Sequence, residues 1–97
     1  MLKAYVTRWA ERDEPDGHLT DFWFDSHIEN AACWLTKEDA DDDAAIFGTS
    51  RVIIPSADGG THTCSGFTVE QRAPRKFVIF CMAPFVTGTN WRVVGIR

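Results

Sequence analysis

The run Phe77-Val78-Ile79-Phe80-Cys81-Met82 contains no polar residue. Successive side chains of a strand point to opposite faces, so a run without alternation has to be covered on both. This requires a central strand, in a sheet with material packed on each side. Pro84 and Gly88 break the chain after it, and Trp91–Ile96 reads as a last strand.

The rest of the second half is also β in character. Val52, Ile53 and Ile54 mark a strand over Arg51–Pro55, and Ala57-Asp58-Gly59-Gly60 marks a turn. Residues 61–70 read as one long, partly exposed strand ending in the alternation Phe67, Val69. Arg72-Ala73-Pro74-Arg75 is a second turn. At the start of the chain, residues 2–9 read as an edge or second-layer strand, with Leu2, Ala4 and Val6 alternating imperfectly against Lys3 and Thr7. Residues 11–18 are polar, carry Pro15 and Gly17, and read as a loop. Residues 19–24 form a short aromatic strand that pairs with the first as a hairpin.

Two helix starts follow. In Ser26-His27-Ile28-Glu29 the Ser26 hydroxyl is placed to accept the Glu29 amide, and the Glu29 carboxylate to reach back to the Ser26 amide, as in a capping box. Ile28, Ala31, Ala32 and Leu35 then share a helix face. Thr36-Lys37-Glu38-Asp39 is the second start, and Ala40, Ala44 and Phe47 form an apolar stripe that Gly48 ends. The expected fold is α+β: an antiparallel sheet of four to six strands with one bent helix or two short helices packed on one face.

At 97 residues and 44% hydrophobic, the chain suffices for a single domain, 1–97, with one modest core and no metal or disulfide staple. No apolar run approaches the roughly 18 residues that would cross a membrane. The first residues lack the apolar segment of a signal peptide, so a cytoplasmic setting is expected, the host cytosol for a phage-encoded chain. Cys33, Cys64 and Cys81 are odd in number and widely spaced, which fits three reduced, mostly buried thiols. A Cys33–Cys64 or Cys64–Cys81 bridge is the alternative.

Charge is divided unevenly. Residues 11–43 hold twelve of the fourteen carboxylates against Arg12 and Lys37, a net −10; residues 1–10 add +2 and residues 44–97 add +4, giving the chain's −4. Carboxylates in a helix's first turn complement its macrodipole, which accounts for Glu38 and Asp39. It does not account for Asp41, Asp42 and Asp43. Asp is a poor helix former, and Glu38–Asp42 and Asp39–Asp43 are like-charge pairs at i, i+4, each costing roughly 0.2–0.5 kcal/mol. Carboxylates spaced on a rigid helix resemble backbone phosphates, and the Arg and Lys side chains of a nucleic-acid-binding groove would hold them. Asp13, Glu14 and Asp16 enlarge the patch if their loop lies near the helix. The candidate partner-binding residues are therefore Glu38, Asp39, Asp41, Asp42, Asp43, Asp13, Glu14 and Asp16. A merely solvated face is the plainer reading of the same run.

Other chemistry is weakly signalled. His62 and Cys64 share a strand face at i, i+2 and suggest a small metal- or thiol-dependent enzyme, but no second ligand pair or catalytic motif accompanies them. Asp21 with Asp25, or His27 with Glu29, form acid/base pairs of the kind any acidic stretch supplies. The acidic runs do not match a calcium loop. Neither cofactor nor metal is expected, and a pI near 5.2 argues against direct nucleic-acid binding. In length, acidity and lack of a catalytic motif the chain is similar to phage-encoded inhibitors of host defence such as anti-CRISPR proteins, a likeness of class that carries over no residue. The function expected is that of a non-enzymatic inhibitor, monomer or homodimer. It would occupy a basic, nucleic-acid-binding surface of a host complex. A structural protein that assembles through a sheet edge is a further alternative.

Overall fold

The computed structural model describes residues 2–14, 17–48, 51–55, 61–64, 66–83 and 91–96, with side chains described over 2–9, 22–48 and 66–83. The described residues form seven strands: β1 (Leu2–Glu14), β2 (Gly17–Asp25), β3 (Arg51–Pro55), β4 (Thr61–Cys64), β5 (Thr68–Ala73), β6 (Lys76–Ala83) and β7 (Trp91–Ile96). A 3-10 turn, Ile28–Asn30, and one α-helix, α1 (Lys37–Gly48), separate β2 from β3. All pairings are antiparallel, in the order β4-β3-β7-β2-β1-β6-β5. The fold is α+β, with the helix on one face. β1, β2, β6 and β5 form a four-stranded body that carries the described core, and β7, β3 and β4 continue the sheet beyond β2.

β6 answers the demand made by its apolar run. Phe77, Ile79, Cys81 and Ala83 join Ala4, Val6, Phe22, Phe24 and the helix residues Ala40, Ala44 and Phe47 in the main core. Val78 and Phe80 face the other way, with Tyr5, beneath Ile28 and Ala31. The helix covers one face and the segment around the 3-10 turn covers the other, so a strand one place from the sheet edge is buried on both sides.

Several expectations are corrected. Residues 11–18 are not a loop: Glu11↔Thr20, Arg12↔Leu19, Asp13↔His18 and Glu14↔Gly17 are paired, which leaves only 15–16 as the connection. The ladder is made by backbone groups, so polar composition does not prevent it. β1 is not an edge strand but lies between β2 and β6. Residues 61–70 are not one strand: β4 ends at Cys64, β5 begins at Thr68, and the two lie at opposite edges of the sheet. Four residue steps span at most about 14 Å. The sheet must therefore curl until its edges approach, and β4 does come against β6.

The first helix is also replaced. Ser26 makes no capping box, and the 3-10 turn has His27 at its N-cap without a side-chain cap. The chain from 31 to 34 is held extended instead. Ala32 N–H donates to Val6 O (2.9 Å), while Trp34 and Phe77 exchange N–H···O bonds of 2.8 and 2.9 Å. Residues 32–34 thus bridge β1 and β6 beyond Tyr5↔Phe80, where those strands stop pairing. Leu35, expected on a buried helix face, is 66% exposed. The thiols differ from expectation as well. Cys33 is free and exposed, which excludes a Cys33–Cys64 bridge, and Cys81 is disulfide-bonded. The turn expected at 57–60 lies outside the described residues.

Candidate functional site

α1 begins where the second start signal places it. Thr36 Oγ1 accepts the Asp39 N–H at 3.1 Å, and the Ala40 N–H reaches Thr36 O at 3.2 Å. Ala40, Ala44 and Phe47 are buried. Phe47 is the anchor: its ring lies 4.9 Å from Trp9, 5.1 Å from Phe22 and 5.7 Å from Phe67, in edge-to-face arrangements. The helix rests on β5 and β6.

With about 3.6 residues per turn, this buried stripe sets where each carboxylate falls. Glu38 and Asp42 are opposite the stripe, Asp39 and Asp41 flank them, and Asp43 sits at the boundary with the core. The exposures agree: Glu38, Asp39, Asp41 and Asp42 are exposed, and Asp43 is half-buried. Asp43 Oδ2 accepts the indole N–H of the buried Trp34 at 2.6 Å, and so serves the fold. Asp41 is paired to Lys37 Nζ at 2.6 Å across one turn, in the solvent. The side chains of Glu38, Asp39 and Asp42 make no hydrogen bond or ion pair among the described residues. Five carboxylates against one ammonium leave α1 at −4.

The other acidic candidates are not drawn to the helix by any described contact. Asp13 and Glu14 lie at the far end of the β1–β2 hairpin, opposite His18 and Gly17. They are four and five residues beyond Trp9, the point where β1 meets Phe47, a distance of roughly 13 Å or more along the strand. Asp16 lies outside the described residues. His62 and Cys64 sit on β4, paired with Ile54 and Val52, and their side chains are not described. Cys81, being disulfide-bonded, is removed as a thiolate ligand for zinc beside them. Among the described residues no group of three or more His, Cys, Asp or Glu is placed to hold a metal ion.

Asp25 and His27, expected only in chance pairs with Asp21 and Glu29, are in fact partners of each other. Asp25, at the end of β2, is 2% exposed. Its Oδ1 accepts the His27 N–H at 2.8 Å and lies 2.9 Å from His27 Nδ1, and its Oδ2 accepts Asn30 Nδ2–H at 2.8 Å. Burial raises the Asp25 pKa, but the hydrogen bonds from His27 and Asn30 outweigh it and the net shift is downward. The hydrogen bond that His27 donates to the Asp25 carboxylate, and then the carboxylate's charge, raise the pKa of the exposed His27. The signal was available in the sequence: an Asp that ends a strand and accepts the N–H two residues on is an Asx turn. The network fastens the 3-10 turn to the sheet.

No protein-family model, curated protein or solved structure matches this chain. Among the described residues, no helix is long and apolar enough to cross a membrane.

Proposed function

We propose that the chain is a protein-binding inhibitor that lays the outer face of α1 on a basic, nucleic-acid-binding surface of a partner. The observation that carries this reading is the state of Glu38, Asp39 and Asp42. They are exposed and unpaired on a helix fixed from below by Phe47, and beside the helix by the Asp43–Trp34 hydrogen bond. Among the described residues no cation pairs with them, and the fold draws on Glu38 and Asp39 only through the helix macrodipole. A row of carboxylates on a rigid helix offers charge-assisted hydrogen bonds to Arg and Lys with no backbone ordering cost on its own side. Such docking is fast, sensitive to salt and competitive with nucleic acid.

The revised interface is smaller than the acidic run suggests. Asp43 is half-buried and engaged by the Trp34 indole, and Asp41 shares its charge with Lys37. The test is displacement. The immobilised chain is exposed to a lysate of the organism that carries it, and bound proteins are eluted with short duplex DNA. The reading expects DNA to release nucleic-acid-binding proteins that an equal concentration of neutral polymer leaves in place. Retention indifferent to DNA contradicts it.

A further inference from the structure

On the face of the sheet away from α1, a cavity of about 330 Å³ opens between the 3-10 turn and the β5–β6 hairpin. Ile28 and Val78 give it an apolar floor, and Glu29, Cys33, Arg72 and Lys76 line the rest. Strand alternation and one irregularity account for the convergence. Lys76 and Val78 share one face of β6, and Arg72 is the extra residue where the β5–β6 register shifts between Gln71↔Phe77 and Ala73↔Lys76. The Asp25 network holds the opposite wall. The cations here are unlike Lys3 and Lys37, which are paired to Glu70 and Asp41. Arg72 and Lys76 have no hydrogen bond or ion pair among the described residues. Two unpaired cations in an acidic chain thus meet a free, exposed thiol in one concavity.

We propose that this cavity receives a small disulfide flanked by carboxylates, of the glutathione-disulfide class, and that Cys33 exchanges with it. Arg72 and Lys76 match two carboxylates, Glu29 matches an ammonium, and Ile28 and Val78 match the methylenes between them. The volume is at the small end of ligand pockets, about 300–1,000 Å³, and suits an adduct of tripeptide size. In the step, Cys33 gives its proton to solvent and its thiolate attacks one sulfur of the disulfide. The Cys33–sulfur bond forms, the ligand's S–S bond breaks, and one equivalent of ligand thiolate departs. The disulfide is the oxidant, so electrons balance.

The test uses the full chain with Cys33 reduced and three probes: glutathione disulfide (anionic), 2-hydroxyethyl disulfide (neutral) and cystamine (cationic). Each rate is divided by that of the same probe with a small reference thiol, and the modified residue is located by peptide mass. The expected result is adduct on Cys33, with the anionic probe favoured over the cationic one by about tenfold. Arg72→Gln with Lys76→Gln should abolish that preference and leave the neutral probe's rate unchanged. If the double variant fails to fold, loss of the preference at about 0.5 M salt in the unaltered chain reads the same property. Equal normalised rates for the three probes, a preference that survives both the double variant and salt, or adduct that persists in Cys33→Ser would each overturn the proposal.

Discussion

Asp43 and Asp42 are neighbours in sequence and opposites in role. Asp43→Ala removes the acceptor of a buried indole N–H and should destabilise the protein by about 1–3 kcal/mol in urea unfolding. Asp42→Asn relieves a like-charge pair with Glu38 and should leave stability unchanged or raise it by roughly 0.2–0.5 kcal/mol. Equal losses in the two variants would mean that the helix does not sit as described. Asp25 sets a pH dependence. Its lowered pKa contributes stability that is present above its ordinary value of 3.8 and is lost as pH falls through the folded value. His27, with its raised pKa, contributes stability that is present below 6.5 and is lost as pH rises through its folded value. The pair therefore contributes fully between about pH 3.8 and 6.5. Unfolding midpoints measured across pH should show both limbs, and His27→Ala should flatten the upper one. Asp25→Ala should cost about 2–4 kcal/mol at pH 5.5, because it strips three hydrogen bonds from a buried site. These residue roles were only partly legible. The Asx turn at Asp25 could be read from the sequence, whereas the partner of Asp43 comes from a Trp nine residues away whose path depends on tertiary pairing.

At the scale of elements, α1 was legible because its signals are local: Thr36 as cap, Ala40, Ala44 and Phe47 as stripe, Gly48 as end. Thr36→Ala should cost about 1 kcal/mol, and Phe47→Ala about 3–5 kcal/mol, since that ring meets aromatic side chains from β1, β2 and the segment before β5. Circular dichroism and urea unfolding check both. β6 was legible for the same kind of reason, since six apolar residues on alternating faces admit few placements. The segment 26–35 misled because its apolar spacing fits a helix. Its backbone groups are instead taken by Val6, Phe77 and the Asp25 side chain, which are distant in sequence or one turn upstream. The hairpin ladder through residues 11–14 and 17–20 was hidden by polar composition, because side-chain character carries little information about a strand that pairs through its backbone.

For the whole molecule, two charge patterns occupy opposite faces of one curled sheet. The acidic face belongs to α1, and the small cationic cavity lies between the 3-10 turn and the β5–β6 hairpin. The division between an acidic half and a mildly basic half was visible in the sequence. Its assignment to faces was not, since it depends on β5 and β6 passing between the helix and the turn. The central claim is that the unpaired carboxylates of α1 form the docking surface. The most direct measurement is the dissociation constant of a partner released by DNA. It would be compared, across salt concentrations, between the natural chain and a variant carrying Glu38→Gln, Asp39→Asn and Asp42→Asn. We expect the variant to stay folded with a stability change of no more than about 1–2 kcal/mol, to bind at least about tenfold more weakly at low salt, and to show a shallower salt dependence. An affinity and salt slope unchanged by the three substitutions would contradict the claim and reduce the acidic face of α1 to a solvated surface.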